Sequence, residues 1–467
     1  MNTPPLASGP EGPSSLRPLL LTVLEALGEG ARARGGPLPA GGPSEVAARV
    51  RAAVGDVLPD EGDPEALRHL VRALAEGSAD PADPFCAAHL HCPPLAVAAA
   101  ADLAVSVLNP SLDSWDQAPA ASELEAQLTR ALANEVYREV PRGAGNCATG
   151  PHRPAANNDA LVTTGGTESN QLALLLAREI QGPGVRLVCG SNAHHSLPRA
   201  AWLLGMPHPV TIPTLDPATL ETALTTLQGP LLVAATAGTT DTGQIDPLPE
   251  IAHLCARHRA RLHIDAAYGG GLLFSTRHRD KLTGIDTADT VTLDLHKLGW
   301  QPVAAGLLAV RDGNDLTALH QRADYLNADD DTEAGLPDLL GRSLRTTRRP
   351  DILKIAVTLK TLGRTGLGAL VDQVCEQARE FAQLVHDHPG FELHEPPTIS
   401  TVLFRPASAT DDAVAAVRRK LLTDGRAVLG RARAAHRLWL KVTLLNPTTR
   451  PADLAGLLQL VEGTTPR

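Results

Sequence analysis

Through the middle of the chain, short apolar runs alternate with stretches whose apolar residues recur at helical spacing. Runs at 160–164, 185–190, 231–237, 261–266, 290–295 and 306–310 read as strands, and 169–180, 217–227 and 249–258 read as helices between them. This alternation predicts a largely parallel sheet covered by helices on both faces, with ligands at the carboxyl ends of the strands. Ahead of it, from Leu16 to about Ala75, helical spacing is broken by the Gly/Pro-rich stretch 35–43, which predicts a helical arm with a loop in it. Residues 1–15 are rich in Pro, Gly and Ser and are expected to be disordered, and 141–158 reads as a loop. From about Asp351 the pattern becomes two long helices, then strands near 400–404 and 439–444 with helices between and after. The expected division is an N-terminal arm over 1–110, a large domain over 111–345 and a small C-terminal α/β domain over 346–467.

Composition narrows the function classes. A chain of 467 residues with 43% hydrophobic and 20% charged residues can bury a large core. Its net charge of -10 argues against nucleic acid or an anionic membrane as partner. No apolar stretch reaches the roughly 20 residues of a membrane span, and the first residues lack the layout of a secretory signal. The six cysteines, Cys86, Cys92, Cys147, Cys189, Cys255 and Cys375, form no CxxC pair and read as reduced thiols of a cytoplasmic protein. The abundance of Ala, Arg, Gly and Pro suggests a bacterial source.

Four segments could carry chemistry. Thr163-Thr164-Gly165-Gly166-Thr167-Glu168-Ser169-Asn170 follows a strand-like run and opens a helix, so its glycines and free helix-start N–H groups suit an anion, although a plain strand–helix turn has the same pattern. In His263-Ile264-Asp265-Ala266-Ala267-Tyr268, Asp265 ends an apolar strand, where a carboxylate needs a partner such as a protonated ring nitrogen. The small Ala267 leaves room for a flat ring; a simple cap is the alternative for Asp265. In Asp294-Leu295-His296-Lys297, a lysine at a strand end can lose its proton by desolvation and form an imine with an aldehyde, though one lysine there also fits a solvated end. Asn192-Ala193-His194-His195-Ser196 could lay an imidazole over a ring, or expose two surface histidines. No HExxH or Cys/His spacing supports a metal.

The order Gly-Gly-Thr, Ala-His-x-Ser, Gly-Thr-Thr, His-x-Asp-Ala-Ala and Asp-x-His-Lys resembles the group II pyridoxal 5'-phosphate-dependent amino acid decarboxylases, over about Phe85 to Pro447. The resemblance implies an α/β fold of the aspartate-aminotransferase-like kind, fold type I. It implies Lys297 as the Schiff-base lysine, Asp265 as partner of the pyridine nitrogen, Ala267 against the ring and His194 stacked on it. Thr164, Gly165, Gly166, Thr167 and His296 fall on the phosphate side; Thr240 falls near the ring hydroxyl and the substrate carboxylate, and Asp294 at a position that is Asp or Asn in relatives. Arg322-Ala323-Asp324-Tyr325-Leu326-Asn327 matches the mobile catalytic loop, whose tyrosine is expected to return a proton to the α-carbon, reaching in from a partner subunit. Arg348, in Thr346-Thr347-Arg348-Arg349, could meet the substrate carboxylate, or belong to a solvated basic cluster.

The runs 86–94, 112–117, 296–302 and 325–327 are most similar to the diaminobutyrate and lysine-type, siderophore-associated subgroup. Asp83-Pro84-Phe85 and the stretch 141–158 depart from that subgroup's pattern. A small diamino acid is the expected substrate, with His91, Trp115, Asp116, Gln301 and Arg348 on its side of the site and Asp116 or Asp113 pairing with a distal ammonium. The products expected are the amine and carbon dioxide. An oxidative deaminase that makes an aldehyde, which in this family tends to follow loss of the loop tyrosine, and a non-catalytic scaffold are the alternatives. The resemblance further implies a homodimer with its N-terminal helices packed across the seam and the active site at the interface.

Overall fold

The computed structural model describes residues 4–138 and 157–465. The loop expected at 141–158 therefore lies outside the described residues, apart from its last two positions. The N-terminal arm holds three helices, α1 (Gly12–Arg34), α2 (Gly42–Val54) and α3 (Ala66–Gly77). The break expected at 35–43 falls between α1 and α2, at Gly35 in the left-handed region (φ 70°) and Gly41 (φ 97°). Helix α1 begins within the stretch expected to be disordered, with Pro13 in its first turn, where a missing N–H costs nothing. Helices α1 and α3 lie close together: a Cβ on Gly30 would sit 2.5 Å from the Arg72 carbonyl oxygen. Arg68 bridges Glu25 and Glu29 across them.

Residues 94–373 form one compact unit. It begins with α4 (Ala96–Leu108) and α5 (Pro119–Val136) and continues as β1 (Asp159–Thr163), α6 (Gly166–Gln181), β2 (Arg186–Gly190), α7 (Ser196–Leu203), β3 (Val210–Ile212), α8 (Pro217–Thr226), β4 (Leu231–Thr236), α9 (Leu248–His258), β5 (Arg261–Ala266), β6 (Thr290–Asp294) and β7 (Gly306–Val310). The seven strands form one sheet in the order β1-β7-β6-β5-β4-β2-β3. Strands β3, β2, β4, β5 and β6 are parallel, and β7 runs antiparallel to both its neighbours. Strand β1 therefore points the same way as the parallel set. Every residue of β4, β6 and β7 is buried, as a sheet covered on both faces requires. The topology brings the ends of β1, β4, β5 and β6 to one edge. Thr163 is paired with Gly306 and Gly306 with Asp294, while Thr236 is paired with Asp265 and Asp265 with Thr292. The unit continues through the short α10 (Asp329–Glu333) and ends within α11 (Ile352–Asp387), which Gly363 (φ 63°) interrupts, giving the two successive helices expected there.

The remaining strands and helices are β8 (Phe391–Leu393), β9 (Thr401–Pro406), α12 (Asp411–Thr423), β10 (Gly430–Ala434), β11 (Arg437–Thr443) and α13 (Pro451–Thr464). They build an antiparallel sheet, β10-β11-β9-β8, over a core that includes Phe381, Phe404, Val417, Leu440 and Leu457. The three-part division expected from the sequence becomes two compact units, because residues 1–93 cluster with 374–467. The physical reason is a stitch between distant backbone segments. Val428 N–H donates to the Phe85 carbonyl at 2.8 Å, Ala87 N–H to Val428 at 3.0 Å and Thr443 N–H to Ala87 at 2.8 Å. None of the described helices is long and apolar enough to cross a membrane.

Candidate active site

The site is built at the shared edge of the large sheet. Strand β1 leads into Thr164-Gly165 and then α6, and the start of α6 is pinned to the sheet by Ser169. Its hydroxyl lies 2.7 Å from Thr163 Oγ1 and donates to the Leu307 carbonyl at 3.1 Å. Gly165 has φ 147°, a conformation side chains rarely adopt, and a Cβ there would come within 2.9 Å of His296 Cε1. A Cβ on Gly166 would come within 3.0 Å of Ala267 Cβ and 3.2 Å of Asp294 Oδ2. Three segments far apart in sequence thus meet here, and the absence of side chains on the glycines leaves the space between them. The first N–H groups of α6 have no partner within the helix, and its dipole is positive at this end. Thr167, in the first turn of α6, is exposed. Thr164 behaves otherwise: its N–H and its hydroxyl both donate to Glu168 Oε2, at 2.6 and 2.8 Å. Glu168 also takes Arg345 Nε at 3.2 Å.

Asp265 is buried at the end of β5. Its Oδ2 accepts from Asn170 Nδ2 at 2.8 Å and its Oδ1 from the Ala267 N–H at 3.1 Å. His194, half-buried, precedes α7. Its Nδ1 accepts from the Ser196 N–H at 3.3 Å and lies 2.8 Å from Ser196 Oγ. Burial lowers the His194 pKa, and Asp265 opposes that shift only in part. The ring is therefore neutral near pH 7, with its proton on Nε2.

Lys297 lies just past β6, with Nζ 2.8 Å from Asp294 Oδ2. His296 Nε2 is 3.5 Å from the same oxygen, and its Nδ1 accepts from the Ala305 N–H at 3.4 Å. Burial lowers the His296 pKa as well. The second oxygen of Asp294 is buried with no hydrogen-bond partner. Thr240 is exposed in the turn after β4. That turn is tied to the segment after β5 by the Gly269 N–H, which donates to the Ala237 carbonyl at 2.9 Å.

The structure thus brings together Gly165, Gly166, Ala267, Asp265, Asp294, His296 and Lys297. These residues fit pyridoxal phosphate. The helix start and Thr167 would offer donors to its phosphate, Asp265 an anion to its ring nitrogen, Lys297 an amine to its aldehyde and Asp294 an acceptor that has no partner here. The small Gly166 and Ala267 leave the ring room. Asn170, Ser196 and His263 lie inside the motifs, but their sequence positions assign them no role. The signal was their adjacency to the motif residues, but their shared contacts are tertiary.

The substrate-side candidates divide. Arg348 is 1% exposed and pairs through Nη1 with Glu125 at 2.8 Å, so the solvated basic cluster is excluded for it. Its Nε and Nη2 are buried without partners. Asp113 is also buried, with Oδ1 unpartnered, whereas Asp116 is exposed and accepts from Ser114 Oγ at 2.6 Å. Trp115 is exposed. Gln301 is buried and donates to the Gly299 carbonyl and Thr358 Oγ1. His91 is exposed in the other compact unit. Tyr325 is 81% exposed. Its turn is held by Asn327, whose Oδ1 accepts from the Ala323 N–H and whose Nδ2 donates to the Gln321 carbonyl, both at 2.9 Å.

Comparison with known proteins places these features in context. Residues 56–407 match the model of the pyridoxal-dependent decarboxylase conserved domain. An L-2,4-diaminobutyrate decarboxylase of Rhizobium meliloti is 39% identical over 88% of this chain and 84% of its own length. An enzyme of the same name from Acinetobacter baumannii is 32% identical over 86% of this chain and 83% of its own. Among solved structures, the glutamate decarboxylase domain of diaminobutyrate-pyruvate transaminase and L-2,4-diaminobutyrate decarboxylase from Vibrio parahaemolyticus superposes with a TM-score of 0.82. It is 28% identical, covering 98% of this chain and 97% of that one.

Proposed function

The chain belongs to the pyridoxal-dependent decarboxylase family, and on that premise we propose that it decarboxylates a small diamino acid, 2,4-diaminobutyrate, to 1,3-diaminopropane and carbon dioxide. The observation that carries the reading is the convergence of Lys297, Asp265 and the Gly165-Gly166 turn at one sheet edge, in a chain with 39% identity to a diaminobutyrate decarboxylase over most of its length. When bound, pyridoxal phosphate supplies a protonated ring that accepts the electron pair left behind as carbon dioxide departs.

The chain's own residues do the rest. Lys297 would hold the cofactor through its amine and yield it to the substrate's amine. Asp265 would keep a positive charge on the ring nitrogen. His194 would lie against the ring as a neutral imidazole. The helix start at Gly166-Thr167 would anchor the phosphate. The bond between the α-carbon and the carboxylate breaks, and the electron pair it leaves would then take one proton at the α-carbon from the Tyr325 hydroxyl. Arg348 is the candidate partner of the substrate carboxylate. Asp113, buried with one oxygen unpartnered, suits a distal ammonium better than the exposed Asp116.

The enzyme acts as a homodimer in this reading, with Tyr325 of the partner subunit completing each site. Exposed leucines on the N-terminal arm support it: Leu19, Leu24 and Leu27 on α1 and Leu67, Leu70 and Leu74 on α3 offer an apolar surface for a second copy. The thiols of Cys86, Cys189 and Cys255, which form no disulfide, support a reducing, cytoplasmic setting.

Carbon dioxide release from 2,4-diaminobutyrate, lysine, ornithine, glutamate, aspartate, tyrosine and tryptophan tests the proposal. The expected result is the highest kcat/KM on 2,4-diaminobutyrate without hydrogen peroxide. Preference for an acidic or aromatic amino acid would overturn the substrate, and stoichiometric peroxide would overturn the amine product.

A further inference from the structure

Asn170 lies on α6 and is 1% exposed. Its Nδ2 donates to Asp265 Oδ2 at 2.8 Å and to Ser196 Oγ at 2.9 Å. Its Oδ1 accepts from Thr292 Oγ1 at 2.8 Å and faces His263 Nε2 at 3.0 Å. An amide has two donors and two acceptor lone pairs, and here all four are used inside the protein.

The network has one consistent proton arrangement. An ionised carboxylate only accepts, so the Asn170 nitrogen must point at Asp265. The Asn170 oxygen then faces His263, whose Nε2 must carry a proton, and His263 Nδ1 accepts from Thr290 Oγ1 at 2.9 Å. Burial agrees with this neutral form, because it pushes the His263 pKa down to about 4. On the other side the Ser196 hydroxyl already accepts from Asn170, so it gives its own proton to His194 Nδ1. His194 keeps its proton on Nε2, the form that its Ser196 N–H contact also requires.

We propose that Asn170 is a positioning residue that fixes the Asp265 carboxylate and, through Ser196, the tautomer and ring orientation of His194, so that one buried amide holds both groups flanking the cofactor ring. The inference rests on the reading that Asp265 and His194 face that ring. Breaking the amide should unsettle both groups together while leaving the substrate-side residues untouched. The effect should therefore fall on cofactor binding and kcat rather than on KM.

The test compares wild-type, Asn170→Ala, Ser196→Ala and Asp265→Asn holoenzymes by visible spectrum, pyridoxal phosphate affinity, kcat and KM. Hydrogen bonds to charged groups of this kind predict at least about a 10-fold loss of cofactor affinity and of kcat in Asn170→Ala, with KM changed by less than about 3-fold and a displaced visible band. A folded Asn170→Ala protein with wild-type affinity, band and kcat would overturn the proposal, as would a lowered Tm with kcat per bound cofactor intact. Where Asn170→Ala does not fold, Ser196→Ala, which cuts only the arm to His194, decides: a reduced kcat supports the proposal and an unchanged one overturns it. Asp265→Asn separates the two levels. If it keeps wild-type affinity and kcat, the reading of Asp265 fails; if it loses both while Asn170→Ala loses neither, only the role of Asn170 fails.

Discussion

The ammonium of Lys297 lies 2.8 Å from Oδ2 of Asp294, three residues earlier, and the other oxygen of that carboxylate is buried without a partner. The acid thus holds the lysine at the end of β6 and keeps one acceptor in reserve. Asp294→Ala leaves a largely buried ammonium unpaired, and the cofactor-free protein should lose about 2 kcal/mol of stability. Asp294→Asn, which keeps the shape and one acceptor, should lose less. Urea unfolding of the cofactor-free proteins measures both, and equal losses would contradict a pairing role.

His263 gives stability a pH dependence of known sign. Its pKa falls from 6.5 to about 4 on folding, so its contribution is complete above pH 6.5 and disappears as the pH falls towards 4. Asp246 works in the opposite sense: burial raises its pKa to about 6, so its contribution is present in acid and lost as the pH rises through 6. A single-residue variant separates the two. Between about pH 7.5 and about pH 5, His263→Gln should remove roughly 2 kcal/mol of acid-induced loss relative to wild type. Urea midpoints at the two pH values give the comparison.

Gly165 sits at φ 147° with His296 where a side chain would go. Gly165→Ala should cost about 1–3 kcal/mol of stability through backbone strain. It should also weaken cofactor binding by displacing His296. Thermal unfolding with and without added pyridoxal phosphate reads the two effects separately.

Tyr325 is 81% exposed on a turn fastened by Asn327. Tyr325→Phe removes the hydroxyl proposed as proton donor and keeps the ring. Amine formation should fall by about 100-fold or more, within the range for general acid catalysis, and aldehyde and hydrogen peroxide should appear. Asn327→Ala, which frees the turn without touching the hydroxyl, should give a smaller shift in the same direction.

Much of this was legible in the chain. The alternation of apolar runs located β1, β2, β4, β5, β6 and β7 to within about a residue or two, because buried strands are short and continuous in sequence. The glycine turn, Asp265 and Lys297 were visible because each ends such a run. What was not legible depends on distance. Asn170 meets Asp265 from 95 residues away, and Arg348 meets Glu125 from 223. A basic cluster at 348–349 looks solvated in sequence; only the fold shows that Arg348 is buried on Glu125 while Arg349 turns to Asp102. The short β3 and β8 carry too few residues for a period to show, and the edge strand β10, which alternates buried Gly430 and Ala432 with exposed Arg431 and Arg433, has no continuous apolar run. The union of the N-terminal arm with the C-terminal segment rests on backbone hydrogen bonds, which leave no mark in side-chain pattern.

The most direct measurement is the visible spectrum and carbon dioxide release of Lys297→Ala beside wild type, both with added pyridoxal phosphate. Wild type should develop the absorbance of lysine-bound cofactor and release carbon dioxide from 2,4-diaminobutyrate; Lys297→Ala should do neither while remaining folded. An unchanged spectrum and undiminished carbon dioxide release in Lys297→Ala would contradict the assignment of this lysine and the chemistry built on it.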